Sequence, residues 1–326
     1  MQDTPYELEI DLSGLAKAEW LTRLADTGEA HGHFQPLGQR HFAAFLDAGS
    51  TLLVSFETIQ GMRALTESAE PLGWSMTRSR GWSSLTLVSQ GDTWFRDRDV
   101  FGYFDALIDD GFFDEFDRIL FYGAGPCGYA AAAFSVAAPG AEVLAIQPQA
   151  TLDPRIAEWD DRFTHMRRTR FDDRYGYAPD MLDAATNVFI LYDPSVELDA
   201  MHTALFTRPN VEKFRMRFMG AAIQTDLIQM KLLAPLLALF GDGALTTESF
   251  ARLMRARRTH PPYLRRVLAE VDKQDRPALA TMLCRNVVSR LDNAPRFSRR
   301  LNQLLRAANA GDTAANPPKP DTPAKF

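Results

Sequence analysis

The chain has 326 residues, 46 % of them hydrophobic and 24 % charged, with a net charge of −6. That balance excludes a disordered, collagen-like or disulfide-scaffold polypeptide, and the length suits about two domains. The two cysteines, Cys127 and Cys284, and the acidic start MQDTPYELEIDLSG, unlike a basic-then-apolar leader, predict a soluble protein of the reducing cytoplasm. No apolar run reaches the roughly 18 residues of a membrane span. The best, KLLAPLLALF, is short and holds Pro235.

In chain order, STLLVSFE (50–57), SSLTLVS (83–89), RILFYG (118–123), AEVLAIQP (141–148), NVFILYD (187–193) and EKFRMRFMG (212–220) read as strands. Helical stretches such as VFGYFDALIDDGF and YAAAAFSV separate them. Near-continuous apolar strands alternating with helices predict a doubly wound, mostly parallel α/β sheet. After residue 222 the strands stop. TDLIQMKLLAPLLALF, TESFARLMRARR, PPYLRRVLAEVDKQ, DRPALATMLCRNVVSRL and PRFSRRLNQLLRAAN all carry helical periodicity, with starts marked by Thr247, Pro262 and Pro277. The predicted organisation is a core with an N-terminal extension (1–222), a helical lobe (223–306) and a Pro-rich disordered tail (307–326).

Charge divides along the same line. Residues 251–306 carry 14 Lys+Arg against 4 Asp+Glu, while residues 1–250 are net −16. A basic lobe of this kind suits a protein partner or another anionic surface. It lacks the interleaved aromatics that stack bases, which weighs against nucleic acid.

The segment RILFYGAGPCGYAAAAFS is a strand, a glycine turn and an Ala-rich helix. One device of this shape is the dinucleotide fingerprint, matched by Gly123, Gly125 and Gly128. There the following strand should end in an acid for the ribose; here it ends in Gln147. The other device is the nucleophile elbow, G-x-S-x-G between strand and helix. The flanks LLVSF (52–56), DTWFRD (92–97), VLAIQPQATLDP (143–154) and LYDP (191–194) fall in matching order around it.

With those flanks the chain resembles a bacterial branch of α/β-hydrolase-like proteins whose elbow reads roughly YGSSMGGYAAL. The resemblance runs from about residue 52 to 223. It implies an α/β-hydrolase fold and places the nucleophile at Gly125, an oxyanion donor at Pro126, the acid at Asp193 and the base at Ala221. Proline has no N–H, and neither Gly125 nor Ala221 has a reactive side chain. Of the catalytic set only Asp193 keeps its chemistry, so the resemblance implies a degenerate hydrolase that works by binding. Similar chains are sometimes labelled phosphoadenosine phosphosulfate reductase. The phosphate loop and Glu-Cys-Gly context of that activity are absent from this sequence.

The Arg- and Asp-rich run at 159–180 follows a strand, where ligand crevices form. Arg162, Arg167, Arg168 and Arg170 are candidates to hold a small anion, against the alternative of a cap stitched by Arg–Asp pairs. No cofactor is expected on the hydrolase reading; a dinucleotide at Gly123, Gly125, Gly128 and Gln147 is the competing one. Cys127 reads as a packing residue, with a reactive thiolate as its alternative. His31 and His33 read as a polar loop, His202 as a solvent-facing helix residue with the pocket as its alternative, and no histidine shows metal-ligand spacing.

Overall fold

The computed structural model describes residues 8, 10–65 and 68–315, with side chains described as far as residue 309. It opens with α1 (Lys17–His31) and a hairpin, β1 (Gly32–Leu37) and β2 (His41–Leu46). The loop expected of EAHGHFQP is therefore absent. His31 closes α1, and His33 stands on β1 opposite Phe45, since GHFQPL and HFAAFL pair antiparallel about the left-handed Gly38.

Then follow β3 (Thr51–Thr58), α2 (Ile59–Leu65), α3 (Leu72–Arg80), β4 (Ser83–Ser89), α4 (Arg98–Asp109), β5 (Arg118–Ala124) and α5 (Pro126–Phe134). The rest of the sheet region is β6 (Glu142–Ile146), α6 (Pro154–Ala157), β7 (Asn187–Tyr192), α7 (Glu197–Leu205) and β8 (Val211–Arg215). The last strand is shorter than its sequence pattern, because the chain turns at Met216 and takes a left-handed residue at Phe218.

The eight strands form one sheet in the order β1-β2-β4-β3-β5-β6-β7-β8. Neighbours from β4 to β8 are parallel and only β2 runs against the rest. This is a doubly wound sheet of the α/β-hydrolase type. From β3 the winding proceeds to one edge through β4, and from β5 to the other through β6. The carboxyl ends of β3 and β5 thus flank the topological switch point, where open α/β sheets bind ligands.

Helix α5 lies on the sheet through four consecutive alanines, Ala130 to Ala133, all fully buried. Their small side chains allow close helix–sheet approach. Phe134 then wedges among Phe56, Phe104 and Tyr175, with ring centroids 5.5, 4.6 and 4.4 Å away.

The run 225–240 is not one helix. It breaks into α8 (Ile223–Gln229) and α9 (Leu233–Gly241), bent by 101° at a left-handed Lys231. Pro235 explains the restart: its missing N–H is harmless in the first turn of α9 and disruptive inside a longer helix. Helix α10 (Thr247–Leu253) follows, capped by Thr246. The compact unit of the sheet runs to Met254, not to 222. Phe240 packs edge-on against Phe189, and Phe250 stacks on Phe214 at 4.2 Å, so residues 223–253 complete the sheet's outer layer.

The second unit begins at Arg255. It contains α11 (Pro261–Lys273), α12 (Pro277–Arg290) and α13 (Pro295–Ala315) around Leu264, Leu268, Cys284, Val287 and Phe297. Cys284 is a buried core residue. Helix α13 continues past 306 to Ala315, so the tail expected from 307 is helical that far; the remainder of that expectation lies outside the described residues. No single helix among the described residues is long and apolar enough to cross a membrane.

Phe134→Ala should destabilise the sheet unit by about 3–5 kcal/mol, the cost of emptying a packed aromatic site. Urea unfolding of the full chain would measure it.

Candidate functional site

The turn from β5 into α5 has the geometry of a nucleophile elbow. Gly125 stands alone between them with φ 57° and ψ −126°, a region hostile to residues with a Cβ. Its N–H donates to the Ile146 carbonyl at 2.8 Å, and its carbonyl accepts from Tyr129 N–H, opening the helix. The neighbouring glycines are dictated by packing. A Cβ on Gly123 would sit 2.1 Å from the Cys127 carbonyl oxygen, and one on Gly128 would meet the carbonyls of Gly123 and Ile146 at 3.2 Å. A Cβ on Gly125 meets nothing within 4 Å.

Gly125, Pro126 and Ala221 all line one cleft of about 320 Å³. The folded chain thus brings together three of the positions that the resemblance marks, and none of the three carries a side chain that can attack or exchange a proton. Among the described residues the cleft's one hydroxyl is Thr225, and no histidine lines it. Asp193, fully buried just after β7, is spent on backbone. Its Oδ1 accepts from the N–H and hydroxyl of Ser195 at 2.9 and 2.6 Å, and its Oδ2 accepts from Gly220 N–H at 2.7 Å.

Gln147 is equally committed. Its amide nitrogen donates to Asp199 at 2.6 Å and its Oε1 accepts from Ile223 N–H at 3.1 Å, so neither end is turned to a ribose. Asp199 also takes Arg162 at 2.6 Å, and Arg162 grips Asp160 at 2.7 Å. His202, expected to face solvent from its helix, is fully buried instead: its Nε2 meets Asp160 at 2.9 Å and its Nδ1 accepts from Ala150 N–H. The proton of a neutral His202 therefore sits on Nε2. Burial pushes the Asp160 carboxyl up, but hydrogen bonds from His202 and Arg162 outweigh it and hold Asp160 below the ordinary carboxylate range.

Of the four candidate arginines only Arg162 lines the cleft, and two carboxylates already share its charge. Arg167 and Arg168 are exposed, and Arg170 pairs with Asp172. The segment is stitched down by a residue outside the candidate set. Arg96, its side chain 2 % exposed, pairs with Asp173 and donates to the carbonyls of Arg170 and Arg174. Arginine here closes the cap.

A second cavity, of about 270 Å³, lies on the other side of the elbow, at the ends of β3 and β5. Glu57 looks into it from the end of β3, half-buried among Phe56, Met62, Leu72 and Leu233. Burial pushes its carboxyl up to about 7, in spite of hydrogen bonds from Leu72 N–H and the Ser55 hydroxyl. Burial likewise pushes the Cys127 thiol well up, so the helix N-terminus does not make it a thiolate. Glu57 escaped the sequence reading. Its one signal was a carboxylate ending an apolar strand, where the crevice of such a sheet opens.

His41 imitates a catalytic base. Its Nε2 meets the Thr93 hydroxyl at 2.8 Å and its Nδ1 lies 3.6 Å from Asp97. Both His41 and Thr93 are buried, and the Thr93 hydroxyl also accepts from Phe95 N–H. The group pins the loop of DTWFRD, where Trp94 and Phe95 both have positive φ. A further cavity, about 740 Å³, opens at the opposite end of the sheet, beside the Arg118–Glu142 pair.

No family model and no curated protein matches the chain. Among solved structures, a bacterial heroin esterase aligns over 73 % of this chain and 95 % of its own at 13 % identity, TM-score 0.46. An esterase from the archaeon Pyrobaculum calidifontis aligns over 73 % and 93 % at 10 % identity, TM-score 0.44. The capsule O-acetyltransferase of Neisseria meningitidis serogroup A aligns over 58 % and 91 % at 13 % identity, TM-score 0.36. The assignment of this chain to the α/β-hydrolase type rests on its strand order and elbow.

Two outcomes follow from the site. Gly123→Ala, which collides with backbone, should cost more stability than Gly125→Ala, which bears only the ~1–3 kcal/mol of a strained φ/ψ; paired urea titrations would rank them. Glu57 contributes stability below its ordinary pKa of 4.5 that is lost as pH rises through about 7, since its folded pKa is raised. Glu57→Gln removes that loss. The variant should therefore gain about 2 kcal/mol on wild type between roughly pH 5 and pH 8, read from unfolding at each pH.

Proposed function

We propose that this chain is a catalytically degenerate α/β-hydrolase-like protein that acts by binding a small molecule in the crevice around its elbow. The observation that carries this reading is Gly125, which keeps the backbone conformation of an elbow nucleophile and has no side chain. Pro126 and Ala221 beside it leave the same cleft without an oxyanion donor from that position and without a base. Loss of triad members and oxyanion donors costs several powers of ten in rate. What remains is a pair of cavities at the switch point, and these favour binding over turnover.

A fluorophosphonate serine probe should not label the full-length protein, and short-chain p-nitrophenyl esters should not turn over above the buffer rate. Gly125→Ser should stay inactive too, since the hydroxyl has room but no histidine. Labelling of the wild type, abolished by changing a single serine, would overturn the reading. A shift of several degrees in Tm with NAD or FAD would replace it with a nucleotide-dependent enzyme.

A further inference from the structure

The cavity at Glu57 has a mostly apolar wall, with Thr58 and Gln224 as its neutral polar members, and carboxylates as its charged ones. Phe56, Met62, Leu65, Leu72, Ile228 and Leu233 supply hydrocarbon, aromatic face and thioether. Among the described residues the ionisable side chains lining it are Glu57, Asp92 and Cys127, with no Lys, Arg or His. Asp92 stands at the rim with more than half its side chain exposed, 3.8 Å from His165. Behind Glu57 lies Glu70, whose charge is matched by Arg78.

Glu57 itself is half satisfied. Oε1 accepts from Ser55 and from Leu72 N–H, whereas Oε2 has no partner among the described residues. The Tyr122 hydroxyl lies fully buried beside it, next to Cys127 and Gln224. The N-terminus of α5 also faces this region, but it brings only about half a positive charge, shared along its first turn and reduced by Pro126. A whole carboxylate at the cavity wall outweighs it.

We infer that this cavity binds a small organic ammonium, its hydrocarbon part against the apolar wall and its charged nitrogen on Glu57. This rests on the binding role proposed above and names the ligand class for it. An ammonium supplies donors to Oε2, and aromatic and sulfur groups beside it accommodate its positive charge. A carboxylate or phosphate ligand would face Glu57 and Asp92 with no cation on the walls to offset them.

The test uses n-hexylammonium, n-hexanol and hexanoate, one chain with three head groups, on the full-length protein at about pH 8, where Glu57 is ionised. Hexylammonium should raise Tm by several degrees at saturating concentration, and the other two should not. By titration calorimetry Glu57→Gln should weaken hexylammonium at least tenfold. Leu65→Trp, which fills the cavity from its half-exposed wall and leaves the carboxylate alone, should abolish binding. An equal shift with hexanol or hexanoate, or an unchanged Kd in either variant, would overturn the assignment. Hexanoate binding without hexylammonium binding would overturn the ammonium and leave the binding role standing; labelling by the serine probe would instead remove that role.

Discussion

Everything at the carboxyl end of this sheet depends on the chain reversing within one residue between β5 and α5. The reversal forces Gly123 against the Cys127 carbonyl and Gly128 against those of Gly123 and Ile146. It also drives Gly125 into a backbone conformation that costs a residue with a Cβ about 1–3 kcal/mol. Only through that turn can the four alanines of α5 reach the sheet and Phe134 reach the aromatic cluster behind it. The glycines therefore belong to packing first. A glycine pattern that serves packing persists whether or not a nucleophile stands in the middle of it.

This separates the two devices that share the pattern. A dinucleotide fingerprint needs its turn to receive a pyrophosphate and the next strand to offer a free acceptor to the ribose. Here the next strand ends in Gln147, with positive φ and both ends of its amide engaged across the top of the sheet. An elbow needs a lone residue held upright over the crevice, and Gly125 is that residue. The surrounding polar network runs His202, Asp160, Arg162, Asp199, Gln147. Each charge in it is met by another, as burial requires. It locks the cap and leaves no cation free for a ligand.

The strands from β3 to β8 were legible because fully buried parallel strands are written as unbroken apolar runs. The elbow was legible because its glycines and flanks lie close together in sequence. The hairpin before it was not: HGHFQPL and HFAAFL are too short and too mixed in polarity to separate from a loop until they pair. The break between α8 and α9 was written in Pro235, yet the apolar periodicity on either side ran across it. Glu57 and the Asp199 network were invisible for a different reason. Gln147 and Asp199 are 52 residues apart, and Glu57 and Cys127 are separated by the five elements α2, α3, β4, α4 and β5; only the winding of the sheet brings such residues to one end.

Asp193, which the resemblance marks as the acid, has a duty in the fold that is independent of any chemistry in the cleft. A buried carboxylate without partners would cost the fold several kcal/mol. This one has three partners, and none of them is a catalytic base. Its two oxygens tie the loop after β7 to the loop after β8, through Ser195 on one side and Gly220 on the other. Replacing it would release both loops and strand two backbone N–H groups, so it is held by stability whatever the crevice does. Pro126 and Ala221 make no such tie between loops, and Gly125 is held by its backbone conformation alone. The presence of the Asp193 carboxylate therefore says nothing about hydrolysis, since the two loops need it in either case.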